Sequence, residues 1–170
     1  MNDLSRLTNE DKDARERIES AAKDMVARTC SWSDMNTGSW NIDGLNAFSG
    51  VLADAFSELD ADIRLQEAPG FDTIDSSGNI QTIHTAPILR ASARMAAPVQ
   101  IVLTGHYDTV FPKGTFEGVT DLGDGRFNGP GLADMKGGLC VMLEALKAFE
   151  AGPFRDRLGY QRLGQALISA

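Results

Sequence analysis

Apolar residues recur three or four positions apart in three stretches of the chain, which predicts three amphipathic helices. The first helix runs from about Thr8 to Thr29, with Thr8 or Asn9 as its N-cap. The second begins after Asp43, and its apolar stripe consists of Leu45, Phe48, Leu52, Ala55, Phe56 and Leu59. The third runs from about Asp134 to Ala151, with Leu139, Leu143, Leu146 and Phe149 on its inner side.

Between these helices the apolar pattern changes to the period of two that is typical of strands. Ile63 and Leu65 alternate with polar residues, and the segment from about Asn79 to Met95 predicts one or two moderately exposed strands, with Pro87 implying an edge or a bend. The mostly apolar run Val99–Leu103 predicts a strand that is buried on both faces. Residues 31–44 and 113–131 are rich in glycine and short polar residues, and we expect loops there.

The alternation of helices and strands predicts an α/β fold with a mostly parallel sheet and flanking helices. A length of 170 residues suits one domain, and 42% apolar residues can supply its core. The net charge of −8 would repel a phosphate backbone, which excludes nucleic-acid binding.

The chain shows no apolar run of about 18 residues and no apolar stretch within its polar first twenty residues, so we expect no membrane span and no secretion signal. The cytoplasm is the default location. Cys30 and Cys140 fit buried thiols in a reducing compartment, since they form no C-x-x-C pair.

The residues with the most informative chemistry follow the run Val99–Leu103. His106 and Asp108 leave the carboxyl end of that strand, where open α/β sheets bind their ligands. In extended chain, positions i and i+2 point to the same side. Asp108 is therefore placed to accept a hydrogen bond from one imidazole nitrogen and to hold the other towards a metal ion.

A second element is the glycine-rich segment NGPGLADMKGG, residues 128–138, which leads into the third helix. On its own, Asp134 fits a helix N-cap better than a metal ligand, although one carboxylate can bridge two metal ions about 3.5–4 Å apart. Each element alone also has an ordinary structural explanation. His84 has no carboxylate two positions away and is interpreted as structural, and the GDG of residues 123–125 as a turn.

In combination, GHYDTVFP at residues 105–112 and G-x-G-x-x-D-M-K-G-G at residues 129–138 resemble a known enzyme family. This is the zinc peptidase family that includes glutamate carboxypeptidase, acetylornithine deacetylase, succinyl-diaminopimelate desuccinylase and aminoacylase. NTGSWNIDGLN, residues 36–46, is similar to the entry segment of the carboxypeptidase branch. The resemblance covers most of the chain from about Ala14 onward. It implies the amino-terminal part of a two-zinc exopeptidase catalytic domain.

By this resemblance, His106 binds one zinc ion, Asp134 bridges two, and Asp108 orients His106. Cobalt or manganese are alternatives to zinc, and no other cofactor is expected. Lys136 and the paired glycines shape the loop, and a non-proline cis peptide often follows the bridging aspartate, here between Asp134 and Met135. The implied reaction is hydrolysis of an amide bond next to a free carboxylate, in a small peptide or an N-acyl amino acid.

The sequence departs from the family pattern near its end. In the family, a Glu-Glu pair that supplies the general base and a ligand follows the strand after the third helix. We expect that strand at residues 166–169, ALIS, and no Glu-Glu pair follows it. Glu144, Glu150 and Asp156 lie too far from the start of the third helix to replace the pair.

Residues 1–170 are therefore expected to form a partial catalytic domain that lacks the general base and the lid and dimerisation domain. We expect such a truncated chain to be inactive alone and to self-associate through exposed sheet edges. A non-catalytic interaction module that keeps the first half of the fold is the alternative, and metal content distinguishes the two. A nucleotide-binding domain is disfavoured, because GPGLAD lacks the third glycine of G-x-G-x-x-G and the chain has no P-loop.

Overall fold

The computed structural model describes residues 7–165, which contain three α-helices and eight strands. The helices are α1 (Asn9–Asp34), α2 (Ile42–Phe56) and α3 (Gly137–Glu150). The strands are β1 (Asp62–Gln66), β2 (Phe71–Ile74), β3 (Ile80–Ile83), β4 (Ile88–Ala93), β5 (Val99–His106), β6 (Thr120–Gly123), β7 (Arg126–Asn128) and β8 (Leu158–Gln165).

Helix α1 begins at a capping box and ends later than its sequence pattern predicts. Thr8 Oγ1 accepts a hydrogen bond from the Asp11 backbone, and Asp11 Oδ2 accepts one from the Thr8 backbone N–H. The helix continues through SWSD to Asp34, although these residues were expected in a loop. Trp32 is buried there, and its ring meets that of Phe48 edge to face at 5.9 Å. This packing stabilises a final turn that local propensity disfavours.

Four strands form the main sheet in the order β1-β4-β8-β5. Strand β8 is parallel to β5, but β4 is antiparallel to both β8 and β1. The prediction of a mostly parallel sheet is therefore wrong for the described residues. Only residues 94–98 connect β4 to β5, so the chain reverses between them, and β8 then inserts between the two strands.

The core lies between the three helices and one face of this sheet. It contains the predicted stripe of α2, the inner leucines of α3 and alternate residues of β4, namely Leu45, Phe48, Leu52, Phe56, Leu89, Ala91, Ala93, Leu139, Leu143 and Leu146. Strand β5 was expected to be buried on both faces, and this prediction is wrong. Val99 is 50% exposed at the start of the strand, and Val102 is 61% exposed, because it lies on the face opposite Ile101 and Leu103, which pack against the core.

Two short hairpins lie outside the main sheet. The pair β2–β3 includes a strand that the sequence pattern did not predict, and β6–β7 forms inside the segment expected to be a loop. Asp124 and Gly125 form the turn of the second hairpin, so the interpretation of GDG as a turn is confirmed. The strand after α3 is β8, whereas residues 166–169, where it was expected, lie outside the described residues.

Cys30 and Cys140 are both unbridged thiols, the first half-buried and the second buried. Within residues 7–165, no helix has the length and apolar character that a membrane crossing requires.

Candidate metal centre

The three residues predicted from the sequence meet at one end of strand β5. His106 is the last residue of β5, and Asp108 lies two positions further along the chain. Asp134 lies in the turn Leu132–Lys136 that precedes α3, and its backbone there is non-helical (φ −128°, ψ 96°), so it does not cap a regular helix. The Asp134–Met135 peptide bond in this turn is cis, as the resemblance implies.

These residues line an open cavity of about 400 Å³. Its polar side carries His106, Asp108 and Asp134, and the aromatic residues Phe111 and Phe116 form an apolar wall. The two rings of this wall pack edge to face, with their centroids 4.8 Å apart. The cavity therefore combines metal-ligand chemistry with a surface suited to an apolar group.

The contacts of His106 determine which of its ring nitrogens carries the proton. Nδ1 lies 3.1 Å from the backbone carbonyl oxygen of Asp108 and 3.2 Å from Asp108 Oδ1. A carbonyl oxygen only accepts hydrogen bonds, so Nδ1 must be the donor. In the neutral imidazole, Nε2 then has a lone pair towards the cavity, which is the state that binds a metal ion.

Asp134 faces that second nitrogen. Its Oδ1 lies 3.0 Å from His106 Nε2, and its side chain is 87% exposed. Two atoms with facing lone pairs repel each other at this distance unless a cation lies between them, either a proton or a metal ion. Two ligands of one tetrahedral zinc ion lie roughly 3.3 Å apart, so the observed separation fits a shared ion.

The proton state of His106 follows from the same contacts. Burial would lower the pKa of His106, but the hydrogen bond to Asp134 and the interactions with Asp108 outweigh burial and raise that pKa above its usual value of 6.5. The acidic partners that favour a proton on the ring equally favour a metal cation beside it.

Buried polar contacts hold both loops of the site against the end of α1 and the connection to α2. Ser39 Oγ donates a hydrogen bond to Asp108 Oδ2 at 2.7 Å. Lys136 Nζ donates to the carbonyl oxygens of Trp32 and Met35 at 2.9 and 2.8 Å. Ser33 Oγ donates to the carbonyl of the proline that precedes Gly131, at 2.7 Å.

Gly131 starts the turn that carries Asp134. Its φ is +73°, a left-handed conformation that L side chains rarely adopt. A Cβ at this position would lie 3.0 Å from Thr109 Cγ2 and 3.2 Å from Lys136 Cδ. Glycine is therefore needed here for both its backbone conformation and the space that it leaves.

The sequence pattern did not single out Ser33 or Ser39 for the site. Ser39 contacts a residue 69 positions away, and serine occurs too widely to signal such a role. Residues 36–46, which include Ser39, were marked only by their resemblance to the entry segment of the carboxypeptidase branch. The resemblance implied that Lys136 shapes the loop. In the structure, its buried ammonium joins that loop to two carbonyl oxygens at the end of α1.

In the described residues no group of three or more histidine, cysteine, aspartate or glutamate side chains could hold a metal ion. His84 is exposed on the β2–β3 side of the fold and does not line the cavity. Glu144 and Glu150 instead form ion pairs with Arg28 and Arg94. The pair His106 and Asp134 is thus an incomplete ligand set within residues 7–165.

The segment that carries these residues resembles a known peptidase family. The model of Peptidase family M20/M25/M40 matches residues 102–159, the segment that runs from β5 through α3. The chain resembles the M20 peptidases. This match confirms the resemblance to a metallopeptidase family and supports a hydrolase of that type. A search of curated proteins found no match.

Solved structures of such peptidases share the fold. Human carnosine dipeptidase 1 is 18% identical with a TM-score of 0.75, and the similarity covers 96% of this chain and 36% of that protein. The dipeptidase Dug1p from Saccharomyces cerevisiae is 14% identical with a TM-score of 0.73, covering 91% and 34%. An M20 family metallo-carboxypeptidase from Sulfolobus solfataricus is 15% identical with a TM-score of 0.59, covering 84% and 30%. The chain thus spans about a third of the length of each.

Proposed function

We propose that the chain carries the metal-binding amino-terminal part of a two-zinc peptidase or N-acyl amino acid deacylase. The observation that supports this proposal most is the 3.0 Å separation of His106 Nε2 and Asp134 Oδ1 at the mouth of the cavity. The family match over residues 102–159 includes both side chains. The substrate class proposed from the resemblance is a small peptide or N-acyl amino acid with a free carboxylate beside the scissile amide.

Each of the three residues has a distinct proposed role. His106 would hold zinc through the Nε2 lone pair, and Asp134 would hold it through its carboxylate oxygens. Asp108 keeps the proton on His106 Nδ1 and fixes the plane of the ring. When bound, zinc supplies the Lewis acidity that activates water and polarises a carbonyl, and cobalt or manganese could replace it.

The remaining parts of the reaction are not supplied by residues 7–165. A zinc ion usually has four ligands, and the described residues bring together two. No glutamate lines the cavity, so the described residues do not supply there the glutamate base that the resemblance implies. We propose that residues 1–170 form a partial catalytic domain that binds zinc weakly and does not hydrolyse amides by itself.

Zinc affinity of four purified proteins tests the metal site. The wild-type chain should bind zinc, and His106→Ala and Asp134→Asn should each weaken binding by about tenfold or more. His84→Ala is the matched control, because it removes the other histidine of the chain and should leave the affinity unchanged. Equal affinity in the wild type and His106→Ala would refute the proposed site. Tight binding of two zinc ions together with amidase turnover would refute the proposed inactivity.

The edge of the sheet favours a second candidate function, a non-catalytic interaction module. Among the described strands β5 is unpaired on one side, and Val99 and Val102 on it are exposed. Such an edge can pair with a strand of another chain, including a second copy of this one. A chain without zinc affinity that forms a stable complex would support this candidate, and a monomeric zinc-binding chain would refute it.

A further inference from the structure

The connection between α1 and α2 lies directly against the segment that follows His106. The Ser39 backbone N–H donates to the Thr109 carbonyl at 2.9 Å, and the Thr109 N–H donates to the Thr37 carbonyl at 2.8 Å. These two bonds form a short parallel bridge between Gly38 and Thr109. The backbone beside Asp108 is thus fixed by a segment about seventy positions earlier in the chain.

Ser39 extends this bridge to the carboxylate of Asp108. Its side chain is buried, and its Oγ lies 2.7 Å from Asp108 Oδ2. The other carboxylate oxygen, Oδ1, lies 3.2 Å from His106 Nδ1. The two oxygens of Asp108 therefore face different donors, the serine hydroxyl on one side and the imidazole on the other.

A buried carboxylate that is held at one oxygen by a hydroxyl cannot rotate without losing that bond. Asp108 is only 3% exposed, so water has little access to replace the lost donor. His106 Nδ1 contacts both the backbone carbonyl and the carboxylate of Asp108, and the orientation of the carboxylate sets the second of these contacts. The hydroxyl of Ser39 thus acts on the imidazole through Asp108.

We propose that Ser39 is a positioning residue of the metal centre, which orients Asp108 and through it holds His106 in the tautomer that leaves Nε2 available to the ion. The proposal rests on the proposed function for its metal-binding consequence. Its consequence for the imidazole itself holds without any metal. The bond from Ser39 to Asp108 and the bond from His106 to Asp108 form one connected path of three side chains.

The size of the effect follows from the distance of Ser39 from the ligand. Loss of a group that directly contacts a metal-binding histidine typically weakens metal binding by about 10–100-fold. Ser39 is one contact further away, so Ser39→Ala should weaken zinc binding by about threefold to tenfold, below that range. Ser39→Thr keeps the hydroxyl and should retain wild-type affinity.

The control is Ser49→Ala. Ser49 is buried like Ser39, and its hydroxyl donates one hydrogen bond, to the Asn46 carbonyl at 2.8 Å. It lies within α2 and does not line the cavity. If the loss of a buried hydroxyl weakened zinc binding only by destabilising the fold, Ser39→Ala and Ser49→Ala should therefore change the zinc affinity equally.

Two measurements on these variants test the proposal. The first is zinc affinity, measured by competition with a chelator. The second is the tautomer of His106 in the metal-free chain, measured from its ring nitrogen shifts. His84, the other histidine in the sequence, is the internal reference. We expect Ser39→Ala to raise the fraction of His106 with the proton on Nε2, and Ser49→Ala to leave it unchanged.

The two measurements also separate the failure of this proposal from that of the proposed function. If the wild type binds no zinc but Ser39→Ala shifts the His106 tautomer, the proposed function fails and the positioning role of Ser39 stands. If Ser39→Ala and Ser49→Ala have the same zinc affinity and the same His106 tautomer as the wild type, Ser39 is not a positioning residue. An equal loss in both variants would likewise assign the effect to stability and overturn the proposal.

Discussion

Replacement of Lys136 by methionine removes a buried ammonium that joins the Asp134 turn to the end of α1. Lys136 is fully buried. Its Nζ donates to the Trp32 and Met35 carbonyls at 2.9 and 2.8 Å and lies 4.7 Å from the centroid of the Phe48 ring. Methionine has a similar length and keeps the apolar contacts, so the variant isolates the role of the charge.

The contacts and the burial of this ammonium act in opposite directions. Two hydrogen bonds from a charged donor stabilise by about 1.5–3 kcal/mol each, and a desolvated cation–π contact adds about 2 kcal/mol. Burial lowers the pKa of Lys136 from 10.5 to about 8, which corresponds to a cost of about 3.4 kcal/mol for the charged form. Methionine donates no hydrogen bond, so the variant leaves the Trp32 and Met35 carbonyl oxygens without this buried donor, at a cost of about 1–3 kcal/mol each. We expect Lys136→Met to lower the free energy of unfolding by about 2–4 kcal/mol at neutral pH.

The lowered pKa also predicts a pH dependence. Between pH values of about 8 and 10.5 the unfolded chain binds more protons at Lys136 than the folded chain does, so folding becomes more favourable as the pH rises. The methionine variant lacks this group. The difference in stability between wild type and variant should therefore widen between about pH 7 and about pH 10.

Urea denaturation followed by circular dichroism at both pH values measures this difference. Lys23→Met is the control, because Lys23 is an exposed lysine of α1. Surface substitutions of this kind usually change stability by about 0.5 kcal/mol or less. Equal stability of wild type and Lys136→Met at neutral pH, or a difference that narrows at high pH, would refute the reasoning.

Four other changes give separate tests. Gly38→Ala places a Cβ against the Phe111 carbonyl and should lower the free energy of unfolding by about 1–3 kcal/mol. In Gly50→Ala, within α2, the new Cβ meets no atom within 4 Å, so the free energy of unfolding should rise by about 0.5–1 kcal/mol. Urea denaturation measures both changes. Glu150→Ala leaves the partly buried Arg94 without its carboxylate and should lower the free energy of unfolding by about 1–3 kcal/mol in the same assay. Zinc affinity should fall as the pH is lowered through the raised pKa of His106, since protons compete for Nε2, and equilibrium dialysis at several pH values measures this.

The local parts of the fold followed from the sequence, and its long-range parts did not. The stripe from Leu45 to Leu59 predicts α2, and it is buried, because helix periodicity depends on residues within one element. The extension of α1 to Asp34 depends on the packing of Trp32 against Phe48, which belongs to another helix. The insertion of β8 between β4 and β5 depends on pairing between segments about sixty residues apart, which hydrophobic periodicity does not encode.

In the candidate site, too, the sequence predicted the local contact but not the long-range ones. His106 and Asp108 are two positions apart in an extended segment, so their contact followed from strand geometry alone. The approach of Asp134 to His106 was expected only through the family resemblance. The hydroxyl of Ser39 reaches Asp108 across 69 positions, and no spacing rule in one sequence reveals such a contact.

The proposed metal site is tested most directly by a zinc titration of the chain followed through the ring nitrogens of its two histidines. The account predicts that zinc shifts Nε2 of His106, that Nδ1 of the same ring keeps its proton, and that His84 does not respond. Asp134→Asn should move the His106 response to higher zinc concentration. A titration in which His84 responds as strongly as His106, or in which neither responds, would contradict the assignment of His106 and Asp134 as metal ligands.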